Sequence, residues 1–307
     1  MNHTQIVGYL GPAGTFTEEA LGVAGLGHGW QNTPLPTIEE VMRATQDDEV
    51  DLGFVPIENS IEGTVLPTLD ALIFRYGLFI QAEVVLPIHQ QLLAKPGTKI
   101  SNVRKVYSYP HALSQVTRFL AEALPGVELE AVSSTAEGAR IIAAIPSGDV
   151  ACIAPRRAAV LYGLDVLRPD IEDFPDNLTR FLLLGKLRIP RPTGNDKTTI
   201  ACFQLADRPG SLLSILAQFA SRGINLTKLE SRPTKVELGK YCFVIDFEGH
   251  VMDPNVQQAL SDLNRILGEV KFLGSYPQWR ASQPPIPLPA DGFITRLVGL
   301  VDPEPGV

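Results

Sequence analysis

Short apolar runs and turn-rich segments alternate along the first 185 residues. "QIVGYL" gives way to "GPAGTFTEEAL", "LGFVPI" to "ENSIEGTVLPTLDALIF", "RKVYSY" to "PHALSQVTRFLAEAL", and "DVACIA" to "PRRAAVLYGL". Each apolar run has the length of a buried strand, and the segment after each has the character of a helix. Repetition of strand, turn and helix predicts βα units around a mainly parallel sheet. Thr15 and Glu18 have the spacing of a capping box, while Pro110 and Pro155 suit a first helical turn. Open sheets of this kind bind ligands beyond the C-terminal ends of their strands, where all four turns lie.

The pattern breaks at "KLRIPRPTGNDK" (186–197), rich in proline and charge, and residues 188–197 read as a linker. Beyond it, "TIACFQL" (199–205) predicts a strand. Leu212, Ile215, Leu216 and Phe219 then follow helical spacing, closed by Gly223. "INLTKLESR" and "KYCFVIDFE" read as two strands. Asp253-Pro254 opens a second helix with Val256, Leu260, Leu263 and Leu267 on one face, and "EVKFLGSY" ends the set. The order βαββαβ over 198–277 is the ferredoxin-like pattern. Residues 282–307, with "SQPPIPLPADGF", predict an extended or disordered tail.

The chain's 307 residues suffice for two domains with sizeable cores. With 45% apolar and 20% charged residues it has a globular composition. A net charge of −8 argues against a nucleic-acid surface but not against a local seat for a small anion. Cys152, Cys202 and Cys242 each sit in an apolar run without metal-ligand or CxxC spacing. They read as core residues of a protein in a reducing compartment. The start "MNHTQIVGYL" has no basic segment followed by a long apolar one, and no run is long enough to span a membrane. A cytoplasmic location is the expectation, with neither nucleic acid nor membrane as a partner.

Five clusters carry candidate chemistry. Gly11, Pro12, Ala13, Gly14 and Thr15 form a tight turn before a helix, which suits an anion seat and equally a plain βα turn. Glu58, Asn59, Ser60 and Thr64 stand at a strand's end, as site residues or as caps. His111 and Gln115 are one helical turn apart, on a ligand face or a solvated one. Thr179 and Arg180 stand at the mouth of the apolar run Phe181 to Leu184, facing a ligand or capping the strand with a salt bridge. Glu230 and Arg232 share one side of a strand and match the two poles of a zwitterion, or each other.

"GPAGTFTEEAL", "VPIENSIEGTV" and "DNLTRFLLL", followed in order by "PGSLLSIL" and "LESRP", resemble the prephenate dehydratase family in its monofunctional bacterial form, across about 5–280. The resemblance implies a catalytic region, 1–187, of two α/β lobes like type II periplasmic binding proteins, the second lobe at about 85–163. It further implies a C-terminal ACT domain that binds L-phenylalanine, and conversion of prephenate to phenylpyruvate, water and carbon dioxide without cofactor or metal.

On this resemblance Thr179 contacts the leaving hydroxyl, Arg180 pairs with a carboxylate, Phe181 packs on the ring, and Glu58 relays a proton or orients. Gly11 to Thr15, Asn59, Ser60, Thr64 and Gln115 then bind substrate. Gly210, Ser211, Leu212, Leu213, Asn225, Leu226, Glu230, Ser231, Arg232 and Pro233 form a phenylalanine seat between paired domains, in a homodimer or homotetramer. Members often read Ser-His-Pro-Gln-Ala-Leu where this chain has "SYPHAL": Tyr109 replaces the histidine and His111 the glutamine, so no histidine role is carried over to this loop. Removing everything after about residue 195 is expected to leave some activity. The rivals are a two-lobe solute-binding protein, an amino-acid sensor, and an arogenate dehydratase.

Overall fold

A computed structural model describes residues 5–26, 29–186, 189–204, 208–235 and 240–280. The tail expected at 282–307 and the start of the linker at 188 lie outside these. The first lobe runs β1 (Ile6–Leu10), α1 (Phe16–Val23), β2 (Gln31–Leu35), α2 (Ile38–Gln46), β3 (Leu52–Asn59), β4 (Gly63–Thr64), α3 (Leu66–Phe74) and β5 (Phe79–Pro87). The chain then crosses into a second lobe of β6 (Gln91–Ala94), β7 (Lys105–Ser108), α4 (Pro110–Ser114), α5 (Thr117–Ala123), β8 (Glu128–Ala131), α6 (Thr135–Ala144), β9 (Val150–Ala154), α7 (Arg156–Tyr162) and β10 (Asp165–Arg168). It returns as β11 (Leu178–Gly185).

The first sheet has the order β2-β1-β3-β11-β5 with β4 beside β3, and the second the order β10-β6-β9-β7-β8. The expected parallel pairs are present, β1 with β2 and β3, and β7 with β8 and β9. Besides the two-residue β4, antiparallel to β3, each sheet carries one reversed strand, β11 in the first and β6 in the second. β6 and β11 are the strands that follow the two crossings. The reversal matters for the site: it sets the beginning of β11 beside the end of β3, at the edge where ligands bind.

The C-terminal domain is β12 (Asp196–Phe203), α8 (Ser211–Ala220), β13 (Leu226–Pro233), β14 (Tyr241–Glu248), α9 (Pro254–Ile266) and β15 (Glu269–Pro277), in sheet order β13-β14-β12-β15. This is the βαββαβ order that the periodicity predicts. One sheet face, with Ile200, Cys202, Ile245 and Phe247, is covered by Ile215 and Phe219 of α8 and Val256, Leu260 and Leu263 of α9. The other face joins the first lobe: Ala201, Cys242, Val244, Leu273 and Tyr276 share one core with Val41, Met42, Leu69, Leu72, Ile80, Leu182 and Leu184. Gly274 lets the backbones close here, since a Cβ on it would lie 2.6 Å from the Ile80 carbonyl oxygen.

Three local expectations differ from the structure. The linker is not a free tether: Ile189 is buried in the C-terminal core, and β12 begins at Asp196 because that carboxylate accepts from the Thr193 and Gly194 amides. The second lobe extends past 163 through β10, whose exposed and half-buried residues carry no apolar run. The capping box at α1 does not form. Glu18 accepts from Gly14 N at 2.5 Å, while the Thr15 hydroxyl donates to Pro12 O rather than capping the helix.

Candidate active site

Between the lobes lies a cleft of about 730 Å³. Leu10, Gly11, Pro12, Thr15, Phe16 and Thr17 line it from the first turn, Pro34, Leu35 and Pro36 from the end of β2, and Tyr109, Ser133, Ser134 and Thr135 from the second lobe. Its wall is largely apolar, and α6 opens onto it with its N-terminal turn, where the Ser134 hydroxyl accepts from Glu137 N. Gly11 permits the close approach of β2: its Cβ would lie 2.8 Å from that of Pro34. Gly14 is left-handed (φ 88°) and packs on the second lobe, a Cβ there meeting Leu161, Ala136 and Ala158 at 3.3–3.5 Å. A second tie between the lobes joins Arg157 to Glu18 at 2.8 Å. Burial would raise the Glu18 pKa, but the Arg157 guanidinium and the Gly14 amide hold it below the usual range.

At the end of β3, the strand paired with β1, stands a polar cluster. A register shift between Arg180 and Phe181 makes Pro56 oppose Phe181 but Glu58 oppose Arg180, leaving Ile57 as the extra residue of a bulge. The bulge brings Asn59 opposite Thr179. Asn59 Oδ1 accepts from the Ile61 and Glu62 amides, at 2.9 and 3.0 Å, which fixes the orientation of its amide. Its Nδ2 therefore donates to Thr179 Oγ1 (2.9 Å) and Asn177 Oδ1 (2.8 Å). Thr179 accepts from Asn59, so its own proton is free to be donated elsewhere. Asn177 is 1% exposed and donates to Gln115 Oε1 at 3.3 Å. Ser60 exchanges bonds with the backbone of Leu178 in both directions, latching β11 onto the β3–β4 turn.

Gly11, Pro12 and Thr15 line the cleft, Asn59, Ser60, Gln115 and Thr179 gather in the polar cluster where β3 ends, and four expected residues lie away from both. Phe181 is 1% exposed, stacked on Phe54 with ring centroids 5.5 Å apart in the first lobe's core, so it cannot pack on a substrate ring. Arg180 leaves the opposite face of β11 from Thr179 and is held by Asp246 of the C-terminal domain at 2.6 Å. It is not free for a substrate carboxylate. Glu58 pairs with Lys228 (3.2 Å) and lies 3.6 Å from Arg180, and Thr64 donates to Glu230 at 2.5 Å. All three belong to the contact between domains.

His111 and Gln115 diverge as well: His111 is exposed, 3.5 Å from Glu62 across the cleft mouth, while Gln115 turns inward. Asn177 and the Ser133–Thr135 turn went unnoticed in the sequence. Asn177 stood in the stretch that contains Thr179, and Ser134 precedes a helical segment as a capping residue does. Asn59→Asp is expected to lower turnover by about tenfold or more, because a carboxylate oxygen would face three acceptors where an NH₂ now donates. Steady-state kinetics with a melting curve checks this.

Among the described residues, one group offers metal-ligand atoms within 4.8 Å of one another: His89, Asp170 and Glu172, on the two crossings between lobes. The Glu172 oxygens are engaged by His89 Nδ1 (2.7 Å) and Gln90 N (2.9 Å), which ties the crossings directly.

Comparison with known proteins decides the family. A model of prephenate dehydratase matches residues 7–188, and one of the ACT domain matches 198–265. The chain belongs to the prephenate dehydratase family. It is 41% identical over 311 residues to the prephenate dehydratase of Mycobacterium ulcerans, covering 97% of this chain and 96% of that one. The prephenate dehydratase of Arthrobacter aurescens, solved in complex with L-Phe, superposes with a TM-score of 0.83 at 40% identity, over 89% and 90% of the two chains. GqqA, described as a novel type of quorum quenching acylase, superposes with a TM-score of 0.80 at 30% identity, over 89% and 98%.

In this prephenate dehydratase family member the residues expected around L-phenylalanine divide by face. Lys228, Glu230 and Arg232 point from β13 toward the first lobe, where Arg232 meets Asp70 at 2.7 Å. Glu230 and Arg232 thus pair with first-lobe side chains, Thr64 and Asp70, and not with each other. Ser231 and Pro233 are exposed, as are Gly210 (φ 86°) and Leu213 at the start of α8. Leu212 and Ser211 are half-buried on α8, Leu226 is half-buried at the start of β13, and Asn225 is exposed just before it. No helix among the described residues is long and apolar enough to cross a membrane.

Proposed function

We propose that the chain catalyses the decarboxylating dehydration of prephenate to phenylpyruvate at the interlobe edge. The observation that supports this best is the Asn59–Thr179 bond, which leaves one hydroxyl proton free where β3 ends and β11 begins. In this reading the bond from the ring to its carboxylate carbon breaks. Carbon dioxide departs, the electron pair completes the aromatic ring, and the ring hydroxyl leaves as hydroxide, stabilised by the hydrogen bond that Thr179 donates, then takes one proton from solvent to become water. Aromatisation drives the step, so the protein's task is to assist the leaving oxygen and keep water from the ring carboxylate. Leu10, Phe16, Pro34 and Leu35 supply the apolar wall, and the α6 N-terminus supplies backbone NH groups for the dianion.

L-Phenylalanine is the proposed effector. It would bind against β13 and the start of α8 where two copies of the domain meet, so the enzyme would act as a dimer or larger assembly in the cytoplasm. The exposed Leu213, Leu229 and Tyr241 support such a contact.

The purified chain is expected to form phenylpyruvate from prephenate with no added cofactor and with undiminished rate in a chelator. Arogenate and an acyl-amide substrate run alongside. A strict metal requirement, or turnover of either alternative substrate alone, would refute the reading.

A further inference from the structure

Thr179 and Arg180 are neighbours on β11, and their side chains leave it on opposite faces. One reaches the interlobe edge. The other enters a buried cluster where the first lobe meets the C-terminal domain. Arg180 Nη1 donates to Asp246 Oδ2 at 2.6 Å, Nη2 donates to the Tyr276 hydroxyl at 2.8 Å, and Nε lies 2.6 Å from Glu83 Oε2. Lys197 completes the set, its Nζ 3.0 Å from both Glu83 oxygens. Two cations and two carboxylates balance, with side chains 1–12% exposed. Thr199 then donates to Asp246 Oδ1 at 2.8 Å. Burial would raise the Asp246 pKa, but the Arg180 guanidinium and the Thr199 hydroxyl keep it below the usual carboxylate range.

We propose that Asp246, a residue of the C-terminal domain, is a positioning residue for the Thr179 hydroxyl and acts on it through Arg180. The proposal rests on the role given to Thr179 above. A planar peptide leaves only two soft torsions per residue between an anchored Arg180 and its neighbour. The opposing strand repeats the device: Glu58, held by Lys228 of β13, is adjacent to Asn59, the donor to Thr179. Both members of the hydroxyl pair are thus one residue from a side chain fastened in the C-terminal domain. A displacement of β13 and β14 moves them together, and a catalytic hydrogen bond tolerates only a small misplacement. The β3–β11 pair is therefore the element through which an event in the C-terminal domain reaches the cleft.

The test uses the full chain with Arg180→Met and Asp246→Leu combined. This removes the tie and leaves Glu83 and Lys197 balanced, so no unpaired charge is buried. Turnover is expected to fall about tenfold or more, with KM changed by less than about threefold and the melting midpoint nearly unmoved. The deciding measurement is a cycle with Thr179→Ala. That change should cost about a hundredfold in the native background and less than about tenfold beside the double change, since a misplaced hydroxyl has little left to lose.

Equal costs in both backgrounds would make Asp246 domain glue alone and overturn the proposal. Amide exchange over 178–181 gives a readout that needs no turnover: faster exchange in the double variant is expected, and unchanged exchange also overturns it. A native chain inactive on prephenate would refute the proposed reaction, while the exchange comparison would still decide the positioning. If the double variant does not fold, Asp246→Asn goes through the same cycle.

Discussion

Replacing Thr179 by alanine is expected to lower turnover of prephenate by about two to three decades, the usual cost of losing a donor aimed at developing charge. The residue is half-buried at the start of β11, and its oxygen is occupied as an acceptor by Asn59 Nδ2 at 2.9 Å. That bond orients the hydroxyl and leaves its proton for a leaving oxygen. Alanine removes the proton but not the scaffold, since Asn59 keeps Asn177 and the Leu178 carbonyl as acceptors at 2.8 and 3.2 Å. The melting midpoint should therefore drop only slightly, by the cost of about 1 kcal/mol. Thr179→Ser retains the donor and should stay within about tenfold of the native rate. Phenylpyruvate formation followed with time checks both variants. Similar small losses for alanine and serine would mean that Thr179 only caps a strand.

The alternation of strands and helices made both lobes legible, because each apolar run is bounded by turn residues at the points where β1, β3, β7 and β9 end. The βαββαβ order was equally legible from the stripe on α8 and α9. The placing of Thr179 near Asn59 came from a resemblance; physically it depends on the reversed β11 and on the bulge at Ile57, and neither leaves a mark in local periodicity. Arg180 is a different kind of miss. Adjacent strand residues face opposite sides, so Thr179 and Arg180 could not both meet one ligand. Glu58 and Asn59 divide in the same way. The partners of Arg180, Glu58 and Thr64 lie 66, 170 and 166 positions along the chain, in a domain whose docking face cannot be read from spacing. Phe181 was placed by its neighbour's chemistry, although it shares its face with Leu183, which is fully buried.

Ending the chain at residue 195 is expected to give an insoluble or molten product, not the active, unregulated enzyme that two separable domains would allow. The C-terminal sheet is not a pendant: Ala201, Cys242, Val244, Leu273 and Tyr276 complete the core that holds Leu182, Leu184, Ile80, Leu69 and Leu72. Each large apolar side chain returned to water costs about 1.5–3 kcal/mol, so a few of them match the 5–15 kcal/mol by which a domain is stable. The polar losses add to this. Arg180 and Glu83 lose Asp246 and Lys197, and Asp70 loses Arg232 and Lys235. Lys271, which donates to the carbonyls of Leu72, Ile73 and Tyr76 at the end of α3, leaves that helix end uncapped. Trp279 leaves the first lobe's core, where it also donates its amide to Glu83. The truncated chain should bind a hydrophobic dye, melt without cooperativity and show no measurable dehydration of prephenate. A soluble 1–195 fragment with a cooperative melt and native turnover would show instead that the first two lobes fold alone. It would also show that Thr179 keeps its place without any tie from the C-terminal domain.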